Sequence, residues 1–287
     1  MTEIEEFINS NQKLSKLTLQ SYSSSYRKIM RYLNKDDDNL KNENQKNIVD
    51  VLEKNVSSPA TKRQVLNSVI QLRRHYGTAV KHLLTYRDKL QNELDKHRIE
   101  TNTIKKDELP SFNELRLYLK EQYLKDKQSY IINYLLTEYN VRNKDIDLII
   151  VNNIKKAIDK KDNYLVVNPN SIVYIRNNYK THDKHGEKKF RIVNKKFINA
   201  VNEYYNENEN EPLYLASNKN GGRLDETSVH KFIRSKTLNG ISEGDINKIS
   251  VSRVKTIKDI AILKRISKTR GTSVENLINY YNLNITI

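Results

Sequence analysis

Apolar positions recur at helical spacing along most of the chain. From Thr18 onward, Leu19, Tyr22, Tyr26, Ile29, Met30 and Leu33 follow one another at three- and four-residue steps, which predicts an amphipathic helix. Thr2 is placed to cap a shorter helix through Ile4 and Phe7. Further helices are predicted over Lys46–Lys54, Thr61–Gly77 and Thr78–Lys96, with Gly77 as a C-terminal cap. These segments predict a bundle of four or five helices without an internal repeat. Residues 99–109 lose the periodicity and are mostly polar, so they read as a linker ending at Pro110, after which Ser111 caps a new helix. The expected organisation is a helical domain over 1–98, a linker over 99–109 and a second domain over 110–287.

The second segment changes period. After Phe112–Gln122 and a strongly apolar helix at Tyr130–Tyr139, the runs Tyr164–Val167 and Ile172–Ile175 read as strands joined by the turn Asn168-Pro169-Asn170. A third short strand is predicted near Phe190–Val193. Helix resumes at Lys195–Tyr205, Leu213–Ala216 is brief and extended, and helices follow over Asp225–Lys236, Val254–Lys268 and Ser273–Tyr281. The fold class is therefore mainly α with a small antiparallel sheet (α+β).

Charge narrows the partner. The chain has 287 residues and a formal net charge of +16, about +5 over residues 1–100 and about +11 over 101–287. Both halves are basic, which suits a polyanion touching both, and double-stranded DNA is the expected partner. The face of the first long helix opposite its apolar stripe carries Arg27, Lys28 and Arg31 beside Ser23 and Ser24, a pattern suited to phosphates. No stretch approaches the roughly 20 apolar residues of a membrane span. The acidic start MTEIEEFINS lacks the basic region of a secretory signal. An intracellular protein is expected. With no cysteine, disulfides, thiolate metal sites and a cysteine nucleophile are excluded. Seven glycines and four prolines argue against collagen-like and glycine-rich nucleotide-binding architectures. No convincing helix-turn-helix reader or aromatic sheet platform is present.

The candidate chemistry lies in three stretches. The first is Thr137-Glu138-Tyr139-Asn140-Val141-Arg142-Asn143-Lys144-Asp145-Ile146-Asp147-Leu148. Here an arginine follows the turn after an apolar helix, with an acid three residues later. A guanidinium held there offers planar donors to two phosphate oxygens, although an ordinary surface pair with Asp145 has the same pattern. The second stretch, Asn178-Tyr179-Lys180-Thr181-His182-Asp183-Lys184-His185-Gly186-Glu187-Lys188-Lys189, joins two predicted strands. Its two histidines lack further cysteines or paired acids, so no metal site is expected. The third runs from Arg270-Gly271-Thr272 to Tyr280-Tyr281-Asn282.

In their order and element context these stretches resemble the tyrosine recombinase (phage-integrase) family. The Tyr-Asn pair near the end resembles recombinase-like proteins of large DNA viruses and their virophages. The resemblance implies an N-terminal DNA-binding bundle and a catalytic domain. It also implies a tyrosine nucleophile nine positions after a turn residue: Tyr281 counted from Thr272, or Tyr280 counted from Gly271. Arg142 would clamp the phosphate. Lys180 would act as general acid, with Lys184, Lys188 and Lys189 as competitors. The family's His-x-x-Arg is matched only by Ser250-Val251-Ser252-Arg253, or by Asp245-Ile246-Asn247-Lys248 at better spacing, so Arg253 and Lys248 are alternative second clamps. Lys184, Lys264, Arg265, Lys268 and Arg270 would hold the DNA backbone. The implied reaction is site-specific recombination or integration through a 3′-phosphotyrosine, without metal or cofactor, by protomers assembled on DNA. A virus-encoded protein acting in host cytoplasm or nucleus would fit it. The substituted histidines keep open a relative that only binds DNA, with an architectural, replication or packaging role.

Overall fold

The computed structural model describes residues 2–35, 39–157, 159, 161–208, 211–254 and 259–284, Lys184 by its backbone alone. The chain divides into two compact units, Met1–Thr101 and Asn102–Ile287.

Unit 1 is helical. Helix α1 (Glu3–Ser10) starts in a capping box in which the Thr2 side chain accepts from the Glu5 N–H and the Glu5 carboxylate accepts from the Thr2 N–H. Helix α2 (Lys16–Leu33) begins two residues before the predicted Thr18, because Ser15 supplies the cap. Helices α3 (Gln45–Asn55) and α4 (Pro59–His75) follow, the latter with Ser58 as cap and proline in its first turn. Gly77 takes a positive φ of 67° just beyond α4. One core holds Phe7, Ile29, Leu40, Ile48, Leu52, Leu66, Leu72 and Leu83. Buried Arg73 spans it, donating to the carbonyls of Leu40, Glu43 and Ala79.

Helix α5 (Lys81–Glu108) crosses the unit boundary and runs through the residues expected to be an irregular linker. Its start lies at Lys81 rather than Thr78, where the Gln45 side chain accepts the N–H groups of His82 and Leu83. The polar stretch 99–108 consists largely of residues that tolerate helix, and Asn102 is buried there.

Unit 2 continues with α6 (Phe112–Lys125), entered through a Ser111–Glu114 capping box, and α7 (Lys127–Glu138), capped by Asp126. Helix α7 is buried at every position from Ser129 to Thr137, which accounts for its continuous apolar run. A short α8 (Asn143–Ile146) leads into strands β1 (Leu148–Val151), β2 (Asn163–Asn168) and β3 (Ser171–Arg176). Then come α9 (His182–His185), β4 (Lys188–Ile192), α10 (Lys195–Asn206) and β5 (Leu213–Tyr214). Helices α11 (Glu226–Ser235), α12 (Glu243–Ser252), α13 (Ile260–Arg270) and α14 (Val274–Tyr281) complete the described chain.

The sheet has the order β4-β3-β2-β1-β5. It is mixed rather than purely antiparallel, because β1 pairs with β2 in parallel, Ile149 opposite Tyr164. Strand β1 is not among the predicted strands: Leu-Ile-Ile-Val is buried on both faces, so it shows no alternation. Leu148, Ile150, Leu165, Ile172 and Tyr174 join α7 and α10 in the main core. Ile149, Val151, Tyr164, Val166 and Ile175 form a smaller cluster of their own.

Candidate functional site

The turn after α7 fixes Arg142. Asn140 takes φ +49°, Val141 is buried, and the Arg142 N–H donates to the Asp145 carboxylate at 2.7 Å. Asp145 does not form the surface pair with Arg142 that its spacing suggests. Its carboxylate is fully buried and receives the Arg176 guanidinium at 2.6 Å, also with no exposure. Arg176 was legible in principle: Ile172, Tyr174 and Arg176 alternate along β3, so this arginine shares the inward side of the strand.

Four side chains then converge on the end of α13. Lys188 donates to the Lys268 carbonyl at 2.8 Å, Arg176 to that of Thr269, Arg142 to that of Arg270 at 2.7 Å, and the Thr181 hydroxyl to that of Gly271 at 3.4 Å. The last carbonyls of a helix have no partner within it and carry its negative partial charge. Three cations gathered there satisfy those acceptors and offset their own mutual repulsion. A charged donor contributes about 1.5–3 kcal/mol per hydrogen bond. Gly271 makes the approach possible: at φ +67°, a Cβ there would lie 2.4 Å from the Thr181 Oγ.

Beside this loop lies a cavity of about 770 Å³, lined by Arg142, Lys180, His185, Lys188 and Lys268 together with the start of α14 at Ser273 and Asn276. Burial and the Arg270 charge pull the Arg142 pKa down; Asp145, Glu243 and Tyr281 oppose this without reversing it. Burial, followed by Arg176 and Arg142, lowers that of Lys188. Lys180 is exposed on the rim. The Tyr179 hydroxyl donates to the Gly186 carbonyl at 2.6 Å and closes the loop that carries these lysines. The wall is cationic and hydroxylic, with the His185 imidazole but no Phe or Tyr in its lining, which suits an oxyanion such as a phosphodiester.

Not every expected residue gathers here. The Arg253 guanidinium lies 4.1 Å from the Phe112 ring centroid, with Arg265 and Glu138 among its charged neighbours. Lys248 is half-buried beside Asp245 at 4.0 Å, and Lys105 reaches the same carboxylate at 3.2 Å. Neither lines the cavity. Lys248 lies within α12 (Glu243–Ser252), an element the sequence pattern does not predict, and Arg253 is its C-cap. Arg270 is not a surface contact either: it is 3% exposed and bound to Glu243 and the Asn140 carbonyl. Its guanidinium lies 5.1 Å from the Tyr281 ring centroid.

Tyr281 sits on the last turn of α14, about 10 Å along the axis from the helix's first residue, Val274. Its side chain is partly exposed, and Tyr280 is 43% exposed. Lys264, Arg265 and Lys268 are exposed along α13, and Arg265 lies 3.9 Å from Glu138. The Lys184 side chain lies outside the described residues. In unit 1, Arg27, Lys28 and Arg31 line a separate groove of about 470 Å³ with Ser23 and Ser24 on one face of α2. Among the described residues no cluster of His, Asp or Glu is arranged to hold a metal, and no helix is long and apolar enough to cross a membrane.

Compared with family models and with curated proteins, the chain matches none. Among solved structures it is similar to one titled "Crystal structure of XerA recombinase", at 14% identity and a TM-score of 0.40, covering 98% of this chain and 93% of that one. A likeness of that strength fixes neither fold nor function.

Proposed function

We propose that this protein binds double-stranded DNA and cleaves and rejoins it through a 3′-phosphotyrosine. The observation that carries this reading is the convergence of Arg142, Lys180 and Lys188 with the start of the tyrosine-bearing helix α14 on one cationic cavity. Arg142 is held by one Nη on the Arg270 carbonyl, which leaves its other N–H groups for non-bridging phosphate oxygens. The Tyr281 oxygen forms the new bond to phosphorus as the bond to the 5′ oxygen breaks. The phenolic proton passes to water, and a lysine ammonium, Lys180 in this reading, gives a proton to the departing oxygen. The ester conserves the bond, so the reverse step reseals the strand. Arg27, Lys28 and Arg31 on α2 contact the backbone of the same DNA, and strand exchange calls for several protomers on it.

A second reading, DNA binding without cleavage, is favoured by one observation. Neither Arg253 nor Lys248 stands in the cavity as a second clamp, and Arg270 is sealed by Glu243. Suicide duplexes carrying candidate recognition sites decide between them. Strand transfer predicts a covalent adduct that Tyr281→Phe abolishes and Tyr280→Phe leaves in place. An adduct that survives both substitutions refutes the assigned nucleophile. Binding with no adduct on any nicked or suicide duplex supports the second reading.

A further inference from the structure

Arg270 is a buried cation of unit 2 whose side chain the proposed chemistry leaves without a role. Its guanidinium is held by the Glu243 carboxylate from α12 and by the Asn140 carbonyl, 3.1 Å away, from the turn after α7. Burial lowers the pKa of this group, but Glu243 and then Tyr281 outweigh it and raise it overall. So it stays charged in a nearly closed site. The same guanidinium lies over the Tyr281 ring, 5.1 Å from its centroid, a separation at which a guanidinium attracts an aromatic face. Its main chain serves the other partner, because the Arg270 carbonyl receives Arg142.

We infer that Arg270 is the positioning residue of the site, seating the Tyr281 ring with its side chain and Arg142 with its carbonyl. Phosphate clamp and nucleophile are thereby referenced to one residue. This rests on Tyr281 as the nucleophile. Arg270 itself touches no DNA. Its contribution is alignment, and a misplacement of about 1 Å costs on the order of 100-fold in rate.

The test pairs Arg270→Gln with Glu243→Gln, so that no buried carboxylate is left unpaired. Glu243→Gln alone serves as a milder variant that keeps the arginine and loosens its seat. Two readouts are taken on the full chain: the ratio of adduct rate to DNA affinity, and the ¹⁹F resonance of 3-fluorotyrosine placed at position 281. The double variant is expected to lose about 100-fold in single-turnover adduct rate while its duplex affinity changes less than threefold. Its ¹⁹F resonance should move toward that of an unconstrained tyrosine. Glu243→Gln should show both effects in smaller degree, and Arg270→Lys should recover part of the rate. A parallel fall of rate and affinity, or an unmoved ¹⁹F resonance, overturns the inference. If wild-type protein forms no adduct, strand transfer falls, and the ¹⁹F result alone still decides whether Arg270 seats Tyr281.

Discussion

Gly271→Ala tests the architecture of the cavity loop at its tightest point. At φ +67° and ψ 53° the residue caps α13 in the left-handed region, which costs a side-chain-bearing residue about 1–2 kcal/mol. The new methyl would lie 2.4 Å from the Thr181 Oγ and 3.3 Å from the Lys188 Nζ, so Thr181 must rotate and give up its bond to the Gly271 carbonyl. Overpacking of this kind costs about 1–3 kcal/mol. The sum is about 3 kcal/mol, or about 6–12 °C in the melting of a unit this size. Gly77 has the same φ with nothing within 4 Å of its added carbon, so Gly77→Ala should lose only the backbone part, about 1 kcal/mol. Equilibrium urea unfolding of Gly271→Ala, Thr181→Ala and the double variant separates the two contributions. Thr181→Ala should relieve the steric part and give a coupling of about 1–2 kcal/mol. A Gly271→Ala cost no larger than that of Gly77→Ala, or strict additivity with Thr181→Ala, would refute the close approach.

Arg176→Met leaves Asp145 charged and buried, and should destabilise unit 2 by about 3–5 kcal/mol; adding Asp145→Asn should recover much of this in denaturant unfolding. For Asp126, burial pushes the carboxyl pKa up, but Lys236 and the Ser129 hydrogen bonds outweigh it and hold it below its ordinary value. Its stabilisation is therefore complete above the unfolded value of about 3.9 and disappears as pH falls through the lower folded one. Asp126→Asn should cost stability at pH 7 and progressively less as the pH falls below the ordinary carboxylate value, as read from urea midpoints; a loss that does not shrink toward acid pH would show that the charge is not responsible.

What the sequence announces here is local chemistry. Thr2 with Glu5, and Ser111 with Glu114, mark helix starts to the residue, because a capping box is a contact between neighbours in the chain. The turn Pro169-Asn170 between β2 and β3 is legible for the same reason, with Asn168 opposite Ser171. Helix α12 is hidden because Gly244, Asp245, Asn247 and its serines are weak helix formers, and packing rather than propensity holds it. The start of the proposed site at Arg142 follows from a helix, a turn and an acid. The contacts that shape the rest span long loops: the donors to the α13 carbonyls lie 80, 93, 128 and 90 residues from their acceptors. No spacing pattern encodes such pairs. The inward turn of Arg270 likewise depends on where Glu243 and Asn140 come to rest.

The donors at the end of α13 read main-chain oxygens, and a carbonyl belongs to every residue type. Lys268 can therefore change identity, and Thr269 can exchange for another residue that fits its buried place, while the acceptors presented to Lys188 and Arg176 stay where they are. Mutational tolerance along this loop should be uneven in an unusual way. Lys268 is free to drift and Thr269 is held only to its buried volume, while the demand falls on the four donors, on the paired side chain of Arg270 and on the missing side chain at position 271. A saturation library over 268–271 should show that contrast directly, wide at 268, limited by size at 269 and nearly closed at 270 and 271.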